Sequence, residues 1–373
     1  MFLESTISDI ENYPFLNPFR FENDPSKKYW HISTLESLLE ENWNSIEEGV
    51  TENREYLAAR EKIFSSSVFQ YFTDQKNRII QESLETDNSF QILGAYTCLL
   101  DSIVQTAFDY SFIDIPLIKE RLVEELNHEL NYKQKNLPEK KEKLKLLKEQ
   151  ILEMEKNLES GSSSSREYRY FQEVESQHES ETRVLEERIE ELQQLIPQIQ
   201  DFTNDKNFVL NHLVIFARGG YGRAELGLSS DRDLGYCLDT NRLNNGEAEM
   251  LRQLIVHIEN LLRNSGVETA HQYFEIDEDL SRFDEVNTLH TIPSILESRV
   301  LLGSESLATN LKNRFFQVIT FEPYVLNLVR SFSESKEPEL NRMDLKMDYG
   351  GLRSLQIPLW ITAATFGIFP SQT

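Results

Sequence analysis

A short apolar run that stops at two glycines and is followed by a pair of aspartates constrains the fold of this chain most. Residues 213–217 are apolar and mostly β-branched or aromatic at their centre, which is typical of a buried strand. Gly219-Gly220 predicts a tight turn after it, where the backbone can approach a ligand closely. Residues 231–238 predict a second strand, on which Asp231 and Asp233 share a face because side chains alternate.

The residue types around this turn suit a phosphate and a divalent cation. A helix starting over residues 221–226 would direct free N–H groups and a positive dipole end at an anion, and Arg223 would add a planar fork of donors. Two converging carboxylates repel each other unless a cation lies between them, and Mg²⁺ binds one or two carboxylates together with water and substrate phosphates. We therefore expect Asp231 and Asp233 to bind Mg²⁺, or Mn²⁺, beside a nucleoside triphosphate that Gly219, Gly220 and Arg223 hold.

The commoner phosphate-binding motifs do not match. No Gly-Lys-Ser/Thr follows the turn, and the spacing of Gly219, Gly220 and Gly222 is not that of a dinucleotide-binding fingerprint. Taken alone, a Gly-Gly is usually only a turn, and Asp-x-Asp is common on solvated strand edges. Their combination on two successive strands is more specific, and it favours nucleotidyl transfer.

At these residues the chain resembles the DNA polymerase β-like nucleotidyltransferase superfamily, and more closely the bacterial PII uridylyltransferase-type nucleotidyltransferase domain. That family carries Gly-Gly-Tyr-Gly-Arg-x-Glu-Leu before Ser-Asp-x-Asp-Leu, which matches residues 219–226 and 230–234. Residues 295–303 are similar to its Leu-x-Glu-Ala/Ser-Arg-Leu-Leu-x-Gly helix. Lys346 with residues 350–353 is similar to its Lys-x-x-x-Gly-Gly-Leu-Arg-Asp element.

The resemblance implies further site residues. Ser230, Lys346 and Arg353 would bind nucleotide, with triphosphate or acceptor contacts for the last two; ordinary surface charge is the alternative. A third carboxylate is usual in the superfamily, since the attacking hydroxyl benefits from a base near the metal. The family segment Leu-Glu-x-Gly-His-Ser aligns with residues 267–272, on the next strand candidate. It makes Glu268 the third catalytic acid and His271 a supporting residue; a solvated Glu and a packing His are the alternatives.

Four further charged positions lie in or near these motifs. Arg232 stands where most relatives have an apolar residue, which suggests a more open strand face or an extra phosphate contact. Glu225 fits the family motif and could also pair with Arg223 or Arg218. Glu297 and Arg299, on what the resemblance makes a helix, are interpreted as structural.

The function implied is the transfer of a nucleoside monophosphate, UMP by resemblance, from a triphosphate to a tyrosine of a PII-like signalling protein, with two-metal catalysis. A non-catalytic nucleotide sensor or scaffold with a degenerate domain, and a small-molecule nucleotidyltransferase, are the alternatives. Relatives continue into hydrolytic HD and regulatory ACT domains, whereas this sequence ends at Thr373. We therefore expect a truncated or stand-alone variant, to which uridylyl removal and glutamine sensing are not carried over.

Composition excludes several partners. The net charge is −25, with 63 acidic against 38 basic residues, and such a field repels nucleic acid and anionic membranes. Only two cysteines occur, far apart, which favours a reduced cytoplasmic protein. The N-terminus lacks a signal peptide, and the most apolar stretch, residues 357–369, is too short to span a bilayer. We expect it to be a core helix.

The organisation along the chain is mostly helical, and the fold class expected is α+β. We expect a helical N-terminal region over residues 1–115 and a small mixed-sheet catalytic core over 204–290, with a helix at 245–264. C-terminal helices over 291–373 would close the cleft.

Between them, residues 116–203 predict a long antiparallel helical hairpin. Two seams with coiled-coil spacing flank a polar turn at residues 160–165. Their apolar positions are Leu144, Leu147, Ile151, Met154 and Leu158 in the first arm and Leu185, Ile189, Leu192, Ile196 and Ile199 in the second. Self-pairing is favoured over dimerisation, and Pro138 and Pro197 are expected to break or kink the arms. Docking of a protein substrate and a spacer role both remain open.

Overall fold

The computed structural model describes residues 53–85, 89–159, 165–276, 294–295 and 297–318, together with Leu35, Leu39, Leu326, Arg330, Ile357, Pro358 and Trp360. Within these residues the protein has eight α-helices and one four-stranded mixed sheet. The predicted α+β class is therefore confirmed. None of the helices in the described ranges combines the length and the apolar character that a bilayer crossing requires.

The sheet has the strand order β3-β2-β1-β4. Its strands are β1 (Leu213–Ala217), β2 (Asp233–Leu238), β3 (Ala270–Glu275) and β4 (Arg299–Gly303). β1 is antiparallel to β2 and β4, and β2 is parallel to β3. Every residue of β1 is buried, as the continuous apolar run predicts.

The helix expected over residues 295–303 is wrong, because most of this segment forms β4. β4 pairs with β1 from Val214 opposite Gly303 to Ala217 opposite Arg299, with one register shift. A short apolar run fits a helix and a strand equally well, and here the backbone groups of β1 need a partner on their second side. Gly303 is required at the end, since its φ is +94° and a Cβ would lie 1.9 Å from the Leu213 carbonyl oxygen.

One face of the sheet is covered by α8 (Glu305–Val318). The Phe216 and Phe274 rings stack at 6.1 Å between centroids, and Phe315 of α8 meets Phe274 edge to face at 5.6 Å. Gly235 lies opposite Phe216, where a Cβ would be 2.2 Å from the Phe216 ring. The missing side chain thus leaves room for the aromatic core.

The opposite face contacts the C-terminal half of α7 (Asn245–Asn264), whose bounds match the predicted helix. The fully buried Tyr236 hydroxyl donates to the Glu259 carboxylate of α7, and the Thr269 hydroxyl donates to the same carboxylate at 2.9 Å. A buried carboxylate is costly unless its oxygens accept hydrogen bonds, and these two donors satisfy that need.

The chain forms two compact units. The first comprises the described parts of residues 1–113, 205–243 and 254–373, and the second comprises 114–204 and 244–253. Helices α1 (Asn53–Glu85) and α2 (Ser89–Ile113) therefore lie in the same unit as the sheet. The short α5 (Lys206–His212) leads into β1 and is capped by the Asp205 carboxylate, which accepts the Asn207 N–H.

The second unit contains the helical hairpin, built from α3 (Ile115–Glu159) and α4 (Ser165–Gln200). Its arms are antiparallel: early in α3, Glu129 pairs with Arg188 late in α4, and late in α3, Lys148 pairs with Glu179 earlier in α4. Five of the predicted seam residues are buried, namely Ile151, Ile189, Leu192, Ile196 and Ile199.

The two prolines do not end the arms. Pro138 lies inside α3 and Pro197 inside α4, and both helices run through them. The expected break is therefore absent, since pairing along the seam stabilises the helix on both sides of each proline. The predicted polar turn lies outside the described residues except for Ser165, the first residue of α4.

Candidate functional site

The glycine turn lies directly against the start of β2. It is the single helical turn α6 (Gly219–Gly222), and the Arg218 N–H before it donates to the Asp233 carbonyl at 2.9 Å. Gly219 has a φ of +55°, and a Cβ built on it would lie 3.4 Å from Oδ2 of Asp233. The backbone of the turn and one predicted metal-binding carboxylate are therefore neighbours.

The helix expected over residues 221–226 does not form. α6 ends at Gly222, and Ala224 follows with a φ of 57°, a conformation that residues other than glycine rarely adopt. The Glu225 N–H bonds the Gly220 carbonyl at 2.9 Å and closes the loop. One turn offers few aligned N–H groups, so a helix dipole contributes little here.

Asp231 and Asp233 occupy different positions from those expected. β2 begins at Asp233, which is half-buried, while Asp231 precedes the strand and is exposed. The ladder extends one residue further, as the Ala270 N–H bonds the Arg232 carbonyl at 3.1 Å. In this extended segment the two aspartates point to one side and Arg232 to the other.

A cation site built from these two carboxylates fits the chemistry of Mg²⁺, which binds one or two carboxylates and takes its other ligands from water and phosphates. Across the described ranges, no group of three or more His, Cys, Asp or Glu residues is placed to hold a metal ion. Glu268 is exposed and precedes β3, and its carbonyl accepts Nη1 of Arg232 at 3.0 Å. Its role as the third acid stays a prediction.

Arg218 is a charged site residue to which sequence reasoning gave no ligand role. Its buried guanidinium donates through Nε to the Leu234 carbonyl at 3.1 Å and through Nη1 to the Gln272 amide oxygen at 2.6 Å. Burial lowers the pKa of Arg218, and the Asp233 charge opposes that shift. The sequence signal that could have pointed to Arg218 is its position, since it is a cationic residue directly before Gly219-Gly220.

Arg223 is held by two carboxylates. Its Nε donates to Glu225 at 2.8 Å and its Nη1 donates to Glu297, which also accepts Nε1 of Trp360 at 2.7 Å. Burial alone would lower the pKa of Arg223, but the two carboxylates outweigh it and raise that pKa. The pairing with Glu225 is the alternative left open by the sequence. These two ion pairs hold Arg223 in place and stabilise the turn. A phosphate contact of Arg223 stays a prediction.

The two glycines on either side of Tyr221 differ in their surroundings. A Cβ on Gly222 would lie 2.6 Å from the Glu297 carbonyl oxygen and 2.9 Å from that of Ala217. On Gly220 the nearest atoms would be 3.9 Å away. The turn therefore needs glycine at Gly222 for packing, whereas at Gly220 an added Cβ would make only ordinary van der Waals contacts.

Helix α2 contacts the site from the side of Arg299. Arg299, expected on a helix but placed on β4, forms a two-pronged ion pair with Asp101 of α2 at 2.9 and 3.0 Å. Tyr221 of the glycine turn is buried nearby; burial first, and then the Asp101 charge, raise its pKa well above its ordinary value. α2 is thus linked to both β4 and the turn.

Arg232 points into the protein. Its Nη2 and Nε lie 3.0 and 3.3 Å from the hydroxyl oxygen of Tyr96 on α2, and its guanidinium lies 5.5 Å from the Phe72 ring centre of α1. The side chain expected on an open strand face therefore rests against the two N-terminal helices.

The remaining predicted residues are dispersed or outside the described ranges. Ser230 is exposed, and its hydroxyl accepts the Gly227 N–H at 3.1 Å within a tight turn. His271 is exposed on β3, with Nδ1 3.2 Å from a Glu259 oxygen. Lys346 and Arg353 lie outside the described residues, and the nucleotide contacts of all three nucleotide-binding candidates stay predictions.

No family model matches the chain. It is similar to curated bifunctional uridylyltransferase/uridylyl-removing enzymes. The protein of Zymomonas mobilis is 30% identical over 165 residues, covering 42% of this chain and 17% of the relative. The protein of Azospirillum brasilense is 31% identical over 160 residues, covering 39% and 16%. The resemblance to a PII uridylyltransferase-type domain is thereby confirmed.

A third relative, from Rhodospirillum rubrum, is 26% identical over 196 residues, covering 48% of this chain and 20% of the relative. The chain thus spans at most about a fifth of the length of these uridylyltransferases. The likeness concerns one domain-sized part of much longer enzymes.

Proposed function

We propose that this protein transfers a nucleoside monophosphate from a nucleoside triphosphate to an acceptor hydroxyl, with release of pyrophosphate. The observation that carries the proposal is the closeness of Gly219 to the Asp233 carboxylate, to which an added Cβ would come within 3.4 Å. It brings a backbone that a phosphate can approach beside a metal-binding group. The uridylyltransferase names of the relatives support UMP as the transferred group. A PII-like protein hydroxyl is the acceptor in this proposal.

Each site residue has a proposed task. Asp231 and Asp233 would hold Mg²⁺ or Mn²⁺, which when bound neutralises triphosphate charge and orients the leaving group. The Gly219 and Gly220 backbone would face the leaving phosphates, and the fixed Arg218 charge would balance Asp233. The two-ion arrangement implied by the family needs ligands beyond the aspartate pair. Glu268 or the substrate phosphates would supply them.

The compartment proposed is the cytoplasm. Neither cysteine forms a disulfide, and Cys98 lies at the surface and Cys237 in the core, which suits a reducing environment.

A second candidate function is nucleotide sensing without transfer. Its support is the lack of a three-carboxylate group among the described residues, together with the two carboxylates that engage Arg223. A site of this kind could bind a metal and a triphosphate but would have no base for the acceptor hydroxyl.

Incubation with each of four α-labelled triphosphates, Mg²⁺ and host lysate tests the two functions. The double change Asp231→Asn and Asp233→Asn should lower transfer by roughly a hundredfold or more, since charge stabilisation is lost. Asp239→Asn is the matched control, because this aspartate lies beyond the other end of β2 and pairs with Arg242 at 3.4 Å. It should leave transfer unchanged.

The location of the label decides among the candidates. Label from UTP on a discrete protein band supports the proposed function. Metal-dependent nucleotide binding without any transfer supports the sensor and overturns the transferase. Label confined to the low-mass fraction overturns the protein acceptor and points to a small-molecule nucleotidyltransferase.

A further inference from the structure

A permanent positive charge stands between the two proposed metal-binding aspartates in the sequence. An arginine guanidinium carries a permanent positive charge in proteins. If its side chain turned toward Asp231 and Asp233, it would pair with the same carboxylates that a divalent cation needs. The position therefore requires something that keeps the guanidinium on the far side of the strand.

The structure supplies this restraint through Tyr96. Tyr96 of α2 is fully buried. Its hydroxyl oxygen lies 3.0 and 3.3 Å from Nη2 and Nε of Arg232. A third nitrogen, Nη1, donates to the Glu268 carbonyl at 3.0 Å. The Phe72 ring lies 5.5 Å from the guanidinium and 6.3 Å from the Tyr96 ring. All three nitrogens of the guanidinium are thus hydrogen-bonded to the Tyr96 hydroxyl or to the Glu268 carbonyl.

The position of Tyr96 is itself fixed by a neighbour on the same helix. Asp101 of α2 holds Arg299 of β4 through two short contacts at 2.9 and 3.0 Å. Two-pronged arginine–carboxylate pairs set orientation as well as distance. α2 therefore presents the Tyr96 hydroxyl to Arg232 from a defined place beside the sheet.

We propose that Tyr96 is a positioning residue that sequesters Arg232 and thereby preserves the divalent-cation affinity of Asp231 and Asp233. The inference rests on the proposed function, since it takes these aspartates as the cation site. It gives helices α1 and α2 a task that the motifs do not reveal. They keep the Arg232 guanidinium away from the site where the divalent cation would bind.

Binding of Mn²⁺ to the full chain, followed by electron paramagnetic resonance with and without UTP, tests the inference. Tyr96→Phe keeps the ring but removes the hydroxyl, so the freed Arg232 competes for the carboxylates. Mn²⁺ binding should weaken about tenfold, the usual scale for a hydrogen bond to a charged group. Tyr110→Phe is the matched control: it lies on the same helix and loses a 3.1 Å bond to the Arg60 carbonyl instead. It should bind Mn²⁺ like the wild type.

A double-mutant cycle isolates the role of Arg232. Arg232→Leu removes the competing charge, so adding Tyr96→Phe to it should change Mn²⁺ affinity no further. In the transfer assay, Tyr96→Phe should raise the metal concentration for half-maximal rate and leave kcat at saturating metal unchanged. Equal weakening by Tyr96→Phe in both backgrounds would show a general structural effect and overturn the sequestering role.

The remaining outcomes separate this inference from the proposed function. If the wild type binds no Mn²⁺, or if binding survives loss of both aspartates, the cation site fails and the proposed function fails with it. If the wild type binds Mn²⁺ through the aspartates and Tyr96→Phe binds equally well, only the role of Tyr96 is overturned.

Discussion

The candidate site and the helical hairpin use the same charged residue types in opposite ways. In the hairpin, Lys148 and Glu179 pair with side chains that are 48% and 60% exposed, outside a buried apolar seam. In the site, the paired side chains of Arg223 and Glu297 are 15% and 8% exposed. Water solvates each charge of an exposed ion pair even when the other charge is removed. In a buried pair, removal of one charge leaves the other buried without the opposite charge that offsets its desolvation. The site should therefore be the less tolerant region.

The largest expected effect is at the buried pair. Glu297→Gln leaves the permanently charged Arg223 buried with only Glu225 beside it, and should lower the free energy of unfolding by about 4 kcal/mol. Urea unfolding followed by tryptophan fluorescence measures it. Glu225→Gln is the control, because the Glu225 side chain is 31% exposed and should cost much less. Equal costs at the two positions would mean that burial does not set the difference between the regions.

The next effect concerns the backbone of the glycine turn. Gly222→Ala would place a Cβ 2.6 Å from the Glu297 carbonyl oxygen, and should cost about 3 kcal/mol because two backbone segments must separate. Gly220→Ala, whose Cβ would meet nothing closer than 3.9 Å, should be nearly neutral in the same unfolding measurement. If Gly222→Ala left the free energy of unfolding unchanged, the turn could shift to admit the Cβ, and the fold would not need the tight packing at this site.

A third expectation is a difference in the sign of pH dependence. Burial lowers the pKa of Lys312, whose amino group donates to the Ser298 carbonyl at 2.7 Å, to about 8 from 10.5. Between these values the unfolded chain binds more protons, so stability should rise with pH, by about 2.5 kcal/mol. Lys312→Met should abolish that rise, as measured by urea unfolding at a series of pH values from roughly 7.5 to roughly 11.

Lys148 in the hairpin is the matched comparison. Its hydrogen bond to Glu179 raises its pKa, so any stability that it contributes is lost as pH rises through that pKa. Lys148→Met should therefore leave the rise caused by Lys312 intact. A rise that disappears in Lys148→Met instead would place its origin in the hairpin.

The smallest expected effect is at a hairpin ion pair. Glu129→Gln breaks the 3.0 Å contact with Arg188, but both side chains are about one third exposed, so stability should fall by less than about 1 kcal/mol. Leu192→Ala, at a fully buried seam position, should lower the stability more. Thermal unfolding of both variants measures the two effects. The reverse order would mean that the ion pairs, and not the seam, hold the arms together.

Local patterns recovered those parts of the fold that depend on nearby residues. β1 and α7 were predicted with their bounds, since an apolar run and a one-sided helical period are complete within each segment. β4 was not, because residues 299–303 become a strand only beside the unpaired edge of β1. The pattern of a strand, a turn and a second strand also predicted that Gly219 and Asp233 lie close to each other.

The contacts of the site arginines could not be predicted in this way. Arg223 meets a carboxylate 74 residues away, and Arg232 meets a hydroxyl 136 residues away. Sequence motifs name these side chains but carry no information on distant partners. The sequence suggested a phosphate contact for Arg223 and, as one of two possibilities, for Arg232. In the fold, Arg223 bonds Glu225 and Glu297, and Arg232 bonds Tyr96 of α2 and the Glu268 carbonyl.

The two cysteines, neither of which forms a disulfide, give this protein a means of site-specific labelling. Burial raises the pKa of Cys237 to about 12, so its thiolate is scarce near neutral pH, whereas Cys98 is exposed on α2 between Tyr96 and Asp101. A maleimide dye should attach at Cys98 without prior removal of the other thiol. Its emission would then report how α2 responds when nucleotide and cation are added.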